Sequence, residues 1–217
     1  MKEIAIMVDD AIAQKLENRS SEEGMSINSF LSKAVEQNVD KLIRSRKWMP
    51  LEQWTTISRQ EYCYDCVHLQ TGQNQHGYPI ANLSVSRLDL MKSQFVPGAC
   101  ILYCRRHVLE PYDLNLEERQ AFFEDLMLSA RALANVFLPI KMNYQILGNM
   151  SPHLHAYLQP RFYGDVEPAW PIDPWKEKVF LSDSEYRERI SSIQEALRNL
   201  RKEEEHLDPN HSNPGNP

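Results

Sequence analysis

Gly148-Asn149-Met150-Ser151-Pro152-His153-Leu154-His155-Ala156-Tyr157-Leu158-Gln159-Pro160-Arg161 is the stretch on which the fold turns. From His153 onward polar and apolar residues alternate, the period-two pattern of a half-buried strand. Such a strand sets His153, His155, Tyr157 and Gln159 on one face and Leu154, Ala156 and Leu158 on the other, where they can enter a core. A single strand histidine is usually structural. Four polar side chains in a row are a different matter, because each would need its own partner if buried. That face therefore reads as a site.

Working outward, Lys141–Leu147 is a second strand, hairpinned to the first through Gly148-Asn149. Before it lies a long helix. Asn115 caps it, Glu117 and Glu118 favour its dipole, and Phe122, Leu126, Ser129, Ala130, Leu133 and Phe137 form its buried stripe up to Pro139. Residues 81–104 read as strands, with Asn82 to Leu90 alternating loosely and Val96-Pro97-Gly98 turning into Ala99–Cys104. Cys100 and Cys104 lie in that apolar run and read as core.

Near the N-terminus, residues 2–8 alternate as a short strand. Asp9 or Asp10 caps a helix ending near Gly24, and Ser26 caps a second helix with a stripe from Ile27 through Phe30, Leu31, Ala34, Val35 and Val39 to Leu42. A unit this small cannot bury its apolar faces alone and is expected to dimerise or dock. Its end carries Lys41, Arg44, Arg46 and Lys47, read as a solvated helix end. Beyond Asp165 come Pro168, Trp170, Pro171, Pro174 and Trp175, an extended segment; then a charged helix over 183–205 with Ile190, Ile193, Leu197 and Leu200 as its apolar edge; then a Pro/Asn-rich tail expected to be disordered. The boundaries that follow are 1–46, 47–181, 182–207 and 208–217, in an α+β chain.

The chain has 217 residues and a net charge of −6, which gives no general attraction to nucleic acid or anionic lipid. No apolar run reaches the length of a membrane span, and the acidic start is unlike a signal peptide. Cysteines spaced C-x-x-C (Cys63, Cys66) and C-x-x-x-C, without a secretion signal, point to a reducing, cytoplasmic setting and to metal or free thiols. C-x-x-C alone is half a zinc site. His107 and His153 are candidates for the other half; His68 and His76 are nearby substitutes, but the loop between Leu69 and Tyr78 reads as mobile and polar. The alternative is two free thiols with His107 on the surface.

The motif stretch resembles the histidine-triad (HIT) signature, His-φ-His-φ-His-φ-φ, of nucleotide hydrolases and transferases. The likeness runs back through Lys141-Met142-Asn143-Tyr144 and Gly148-Asn149 and forward through Pro160-Arg161-Phe162-Tyr163 to Asp165, a frame characteristic of one bacterial branch. Arg105-Arg106-His107 before the long helix resembles the same family. The resemblance implies an antiparallel sheet with a long helix. It implies that His155 attacks a nucleotide α-phosphate and that His153 orients His155. It implies further that Asn143, Asn149 and Ser151 line the phosphate or ribose, that Gln159 donates its amide to phosphate, and that Trp170 or Trp175 stacks on a base. It also implies zinc on Cys63, Cys66, His107 and His153, as in some members and the related galactose-1-phosphate uridylyltransferases. The departure is Tyr157 at the third histidine; a phenol donates a hydrogen bond but moves protons poorly near neutrality. The uridylyltransferases carry Gln there and remain active.

The first 45 or so residues resemble the ribbon-helix-helix repressors, which pair strands into a DNA-reading ribbon. Residues 1–40 carry four basic and eight acidic side chains, the wrong sign for phosphate contacts, so a homodimerisation role is favoured over DNA binding. Two functions follow. One is a hydrolase or transferase acting on dinucleoside polyphosphates or nucleoside phosphoramidates. The other is a non-catalytic nucleotide sensor coupled to a DNA-binding dimer.

Overall fold

The computed structural model describes residues 8–46, 49–72, 74–167 and 169–207. The expected strand over 2–8 falls almost wholly outside these, as do Lys47 and the tail; the side chains of Lys41, Arg44 and Arg46 are also outside what is described. The chain divides into two compact units, one up to Trp54 and one from Thr55.

The first unit is a helical hairpin, α1 (Asp10–Glu22) and α2 (Ile27–Arg46). The Asp9 carboxylate accepts from the Ile12 N–H at 2.8 Å and starts α1. Gly24 takes the left-handed conformation (φ +65°) that ends it. Ser26 Oγ accepts from the Ser29 N–H at 3.2 Å and starts α2. Ile12, Ile27 and Val35 remain exposed.

The second unit is built on a five-stranded antiparallel sheet. Its strands are β1 (Gly77–Asn82), β2 (Ser86–Met91), β3 (Cys100–Cys104), β4 (Lys141–Gln145) and β5 (His155–Arg161), in spatial order β1-β2-β3-β5-β4. The last strand in sequence is thus inserted beside β3, with Tyr103 opposite His155 and Ile101 opposite Tyr157. Two long helices, α5 (Leu116–Phe137) and α6 (Asp183–Leu207), complete the unit. Asn115 and Glu118 form a reciprocal capping box at the start of α5. Short helices α3 (Leu51–Ile57) and α4 (Tyr64–Thr71) precede the sheet.

Alternation along the strands assigns the two faces. Leu88, Leu90, Cys100, Leu102, Cys104, Leu154, Ala156 and Leu158 join one core with Phe122, Leu126, Ala130 and Leu133 of α5 and Ile193, Leu197 and Leu200 of α6. Cys100 and Cys104 are therefore packing residues. Asp125 of α5 fastens the β1–β2 connection, accepting from the backbone of Ser84 and Val85 and from Ser86 Oγ at 2.6–3.0 Å. The loosely alternating run from Asn82 to Leu90 is in fact interrupted by that turn. On the opposite face Met91, Ile101 and Tyr103 pack with Val96, Ala99 and Ile172. Gly98 (φ +77°) turns the chain into β3, and a Cβ there would lie 2.7 Å from the Phe137 ring.

The segment from Leu69 to Tyr78 differs from expectation. α4 runs through Thr71, the buried Asn74 donates to Asp89 at 2.8 Å, and β1 begins at Gly77. Asn74 is thereby bound inward, to an ion pair (Arg87–Asp89, 2.8 Å) that sequence does not advertise, while Gln70, Thr71 and Gln75 stay exposed.

Candidate functional site

Cys63, Cys66, His107 and His153 converge, each offering a ligand atom within 4.8 Å of all the others. Cys63 caps α4, its Sγ accepting from the Cys66 N–H at 3.4 Å, which turns both sulfurs the same way. The sulfur–nitrogen separations are 3.4, 3.4 and 3.5 Å, and His107 Nδ1 lies 3.3 Å from His153 Nδ1. A tetrahedral zinc ion with bonds of about 2.3 Å to sulfur and about 2.0–2.1 Å to nitrogen asks for about 3.5–3.6 Å and about 3.3 Å on those edges.

The protonation pattern agrees. His153 Nε2 donates to the Cys104 carbonyl at 2.6 Å and His107 Nε2 to the Ser58 carbonyl at 2.9 Å. Carbonyls only accept, so in the neutral ring the proton sits on Nε2 and Nδ1 carries the lone pair. Two imidazole nitrogens and two sulfurs turned to one point are the donor atoms a cation takes, and carbonyls behind ligating imidazoles are a recurrent feature of metal sites. Burial holds His153 down to about 4, neutral and fit to ligate. Burial also pushes the Cys66 thiol up to about 12, with Cys63 adding to it, and raises Cys63 too. The donor set fits zinc.

His155 stands two residues on, on the sheet face away from α5. Its Nδ1–H donates to the His153 carbonyl at 2.7 Å, which leaves Nε2 as the lone-pair nitrogen. It borders a cavity of about 680 Å³ with Tyr157, Asn149, Ser151, Tyr103, Asp65 and Trp175 among the other walls. Seven aromatic rings form a closed circuit of neighbours, a collar of which six rings lie on the cavity wall and the seventh, His68, is buried. In order they are His155, Tyr157, Trp175, His76, Tyr64, His68, Tyr103 and back to His155, with successive centroids 4.5–6.4 Å apart. Burial raises the Tyr157 phenol above its ordinary 10, a hydrogen bond from Trp175 partly offsetting it.

Other expected site residues lie elsewhere. Gln159 is fully buried, its amide donating to the Ile172 carbonyl at 3.2 Å and its oxygen accepting from Gln145. Gln145, not Gln159, reaches the cavity wall. Asn143 accepts from Arg161 at 2.7 Å and borders a separate cavity with Trp170. The reason is the Arg161 guanidinium. It also grips Asp165 at 2.6 and 2.9 Å and the carbonyls of Glu167 and Trp170, and so pins the segment after β5. That segment then brings Pro171–Trp175 to the His155 cavity.

Sequence reasoning did not assign Asp65, Gln75, His76 or Tyr103 to this cavity. Tyr103 was readable, since it alternates with Cys100, Leu102 and Cys104 and so faces away from the core. Asp65 and His76 carry no such signal; they depend on how α4 and the connection to β1 cross the sheet.

No protein-family model matches the chain, and no curated protein matches it. Solved structures do. A histidine triad protein of Sinorhizobium meliloti 1021 is 24% identical with a TM-score of 0.53, over 56% of this chain and 90% of that one. A histidine triad protein of Marinobacter aquaeolei VT8 is 26% identical with a TM-score of 0.52, over 58% and 91%. A hypothetical histidine triad nucleotide-binding protein of Sulfolobus tokodaii strain 7 is 15% identical with a TM-score of 0.51, over 64% and 93%. Each match takes in nearly the whole of a smaller protein and a little over half of this chain. The five-stranded antiparallel sheet with its long helix is the fold of the histidine triad proteins.

Proposed function

We propose that the protein is a nucleotidyl hydrolase or transferase that attacks a nucleotide α-phosphate through His155. The observation that carries this reading is the His155 imidazole, tautomerically set by the His153 carbonyl and placed on the wall of an aromatic-collared cavity. A neutral imidazole is a competent nucleophile near pH 7. Nε2 forms a bond to phosphorus while the bond to the leaving group breaks with its electron pair; water or an acceptor then displaces the nucleotidyl group from His155. Asn149 on the same wall has an amide N–H to offer phosphate or ribose oxygens, while Ser151, whose hydroxyl proton goes to Asp65, can accept from a ribose hydroxyl. The collar offers flat faces to a base, Trp175 among them. Zinc on Cys63, Cys66, His107 and His153 would serve structure, fastening the segment that presents His155 to α4.

The test is release of nucleoside monophosphate from diadenosine polyphosphates and adenosine phosphoramidate, by wild type and by His155→Ala. Turnover that the substitution abolishes is expected. Turnover that survives it overturns the assignment of the nucleophile.

A sensor reading has Tyr157 on its side, since a half-buried phenol with a raised pKa is a poor proton shuttle. Exposed apolar residues on α1 and α2 suit a homodimer in either case. Nucleotide binding without turnover, together with salt-sensitive retention on DNA, is the outcome that reading requires.

A further inference from the structure

We infer that Asp65 selects substrates whose leaving group carries a positive charge; this rests on the cavity being a nucleotidyl-transfer site. The ground is the charge of the whole cavity lining. Among the described residues that border it there is no lysine or arginine, and Asp65 and Asp173 are its acidic side chains. The cations nearby are engaged elsewhere: Arg87 with Asp89, Arg161 with Asp165, Lys176 with Glu167, and Lys92 over the Tyr78 ring. A divalent ion held by two thiolates and two neutral imidazoles is formally neutral, so the metal centre adds no net positive charge.

Asp65 is the carboxylate built into this wall. It lies between the two cysteines at the start of α4, is 4% exposed, accepts from Ser151 Oγ, and has its other oxygen 3.4 Å from His68 Nδ1. It borders the same cavity as His76, Tyr103, Tyr157 and His155. A chain of phosphates threaded past two carboxylates with no cation is repelled. A single phosphate on the hydrogen-bond donors near His155, followed by an ammonium or guanidinium, is attracted. The leaving group that fits is an amine-bearing one rather than a polyphosphate.

The experiment keeps the bond constant and varies one charge. Three adenosine 5′-phosphoramidates are compared, made from butylamine, from 1,4-diaminobutane through one nitrogen, and from 4-aminobutyrate. Their far ends are neutral, cationic and anionic. With full-length wild type, kcat/KM is expected to rank cationic above neutral above anionic, at least about tenfold at the first step at low ionic strength, and to converge as salt is added. In Asp65→Asn the cationic-to-neutral ratio falls to about one. Equal rates for the three compounds in wild type, or an unchanged ratio in Asp65→Asn, overturn the inference and leave the nucleotidyl-transfer reading standing. Should Asp65→Asn not fold, the wild-type ranking and its salt dependence decide alone. If wild type turns over none of the three, that reading fails instead, and equilibrium binding of the same compounds tests Asp65 by the same ranking.

Discussion

Metal binding should expel two protons. In the metal-free protein burial pushes the Cys66 thiol up to about 12 and the Cys63 thiol above its ordinary 9.0, so both carry hydrogen between pH 7.5 and 8.5. His153, held near 4 by burial, arrives neutral and releases nothing. Zinc binds thiolate, so both S–H protons must leave. The apparent association constant then rises about a hundredfold per pH unit in that range, or about 2.7 kcal/mol at about 1.36 kcal/mol per proton. The assay is calorimetric titration of zinc into chelator-treated protein in buffers of differing ionisation enthalpy; the slope of observed against buffer enthalpy counts the protons. Cys66→Ala should lower the count to one and weaken binding. Tight binding with a count near zero would refute the reasoning, because the thiols would be either ionised beforehand or absent from the metal.

Alkaline stability follows from the same thiols. Above about pH 9 the unfolded chain loses thiol protons that the folded, metal-free chain keeps, so the native state binds more protons and stability falls as pH rises. Denaturant titrations from pH 8 to 10.5 should show a steeper fall without zinc than with it, since Cys100 and Cys104, also raised by burial, contribute equally to both. Phe122→Ala empties the centre of the α5–sheet core and should cost about 3–5 kcal/mol in urea unfolding. Asp125→Ala strips the acceptor from two backbone N–H groups and a buried hydroxyl and should cost about 2–4 kcal/mol by the same measurement. Tyr157→His should raise nucleotide hydrolysis by about 10–100-fold in a steady-state assay, and an unchanged rate would remove Tyr157 as the limiting group.

What could be read from sequence was whatever a single element declares by itself. Alternation assigned the two faces of β5, the helix stripe assigned Phe122, Leu126 and Leu133 to the core, and caps at Asp9, Ser26 and Asn115 started their helices as read. Long-range pairing was not legible in this way. Gln159 shares a strand face with His155, yet Ile172 and Gln145 claim its amide because the chain after Arg161 folds back over that end of the sheet. Asn143 goes to Arg161 for the same reason. His76 reaches the cavity from a connection that Asn74 ties to Asp89, a buried partner that lies 15 residues away, and Asp65 reaches it from the first turn of α4. The meeting of Cys63, Cys66, His107 and His153 was suggested by resemblance; the Nδ1 lone pairs of the two neutral imidazoles, which give that meeting its chemistry, depend on carbonyls of Ser58 and Cys104 that no motif mentions.

The order β1-β2-β3-β5-β4 has a consequence for how the chain is made. During synthesis β3 emerges with one edge paired to β2, and its other edge waits through the whole of α5 and β4 for a strand that ends at Arg161. All five residues of β3 are buried in the finished protein, so that waiting edge is an apolar template for pairing with another nascent chain. Translation at about 5–20 residues per second leaves it open for several seconds. The strand that carries His155 is thus also the one that shields β3, and chains stopped short of it should be found in aggregates rather than as smaller folded proteins.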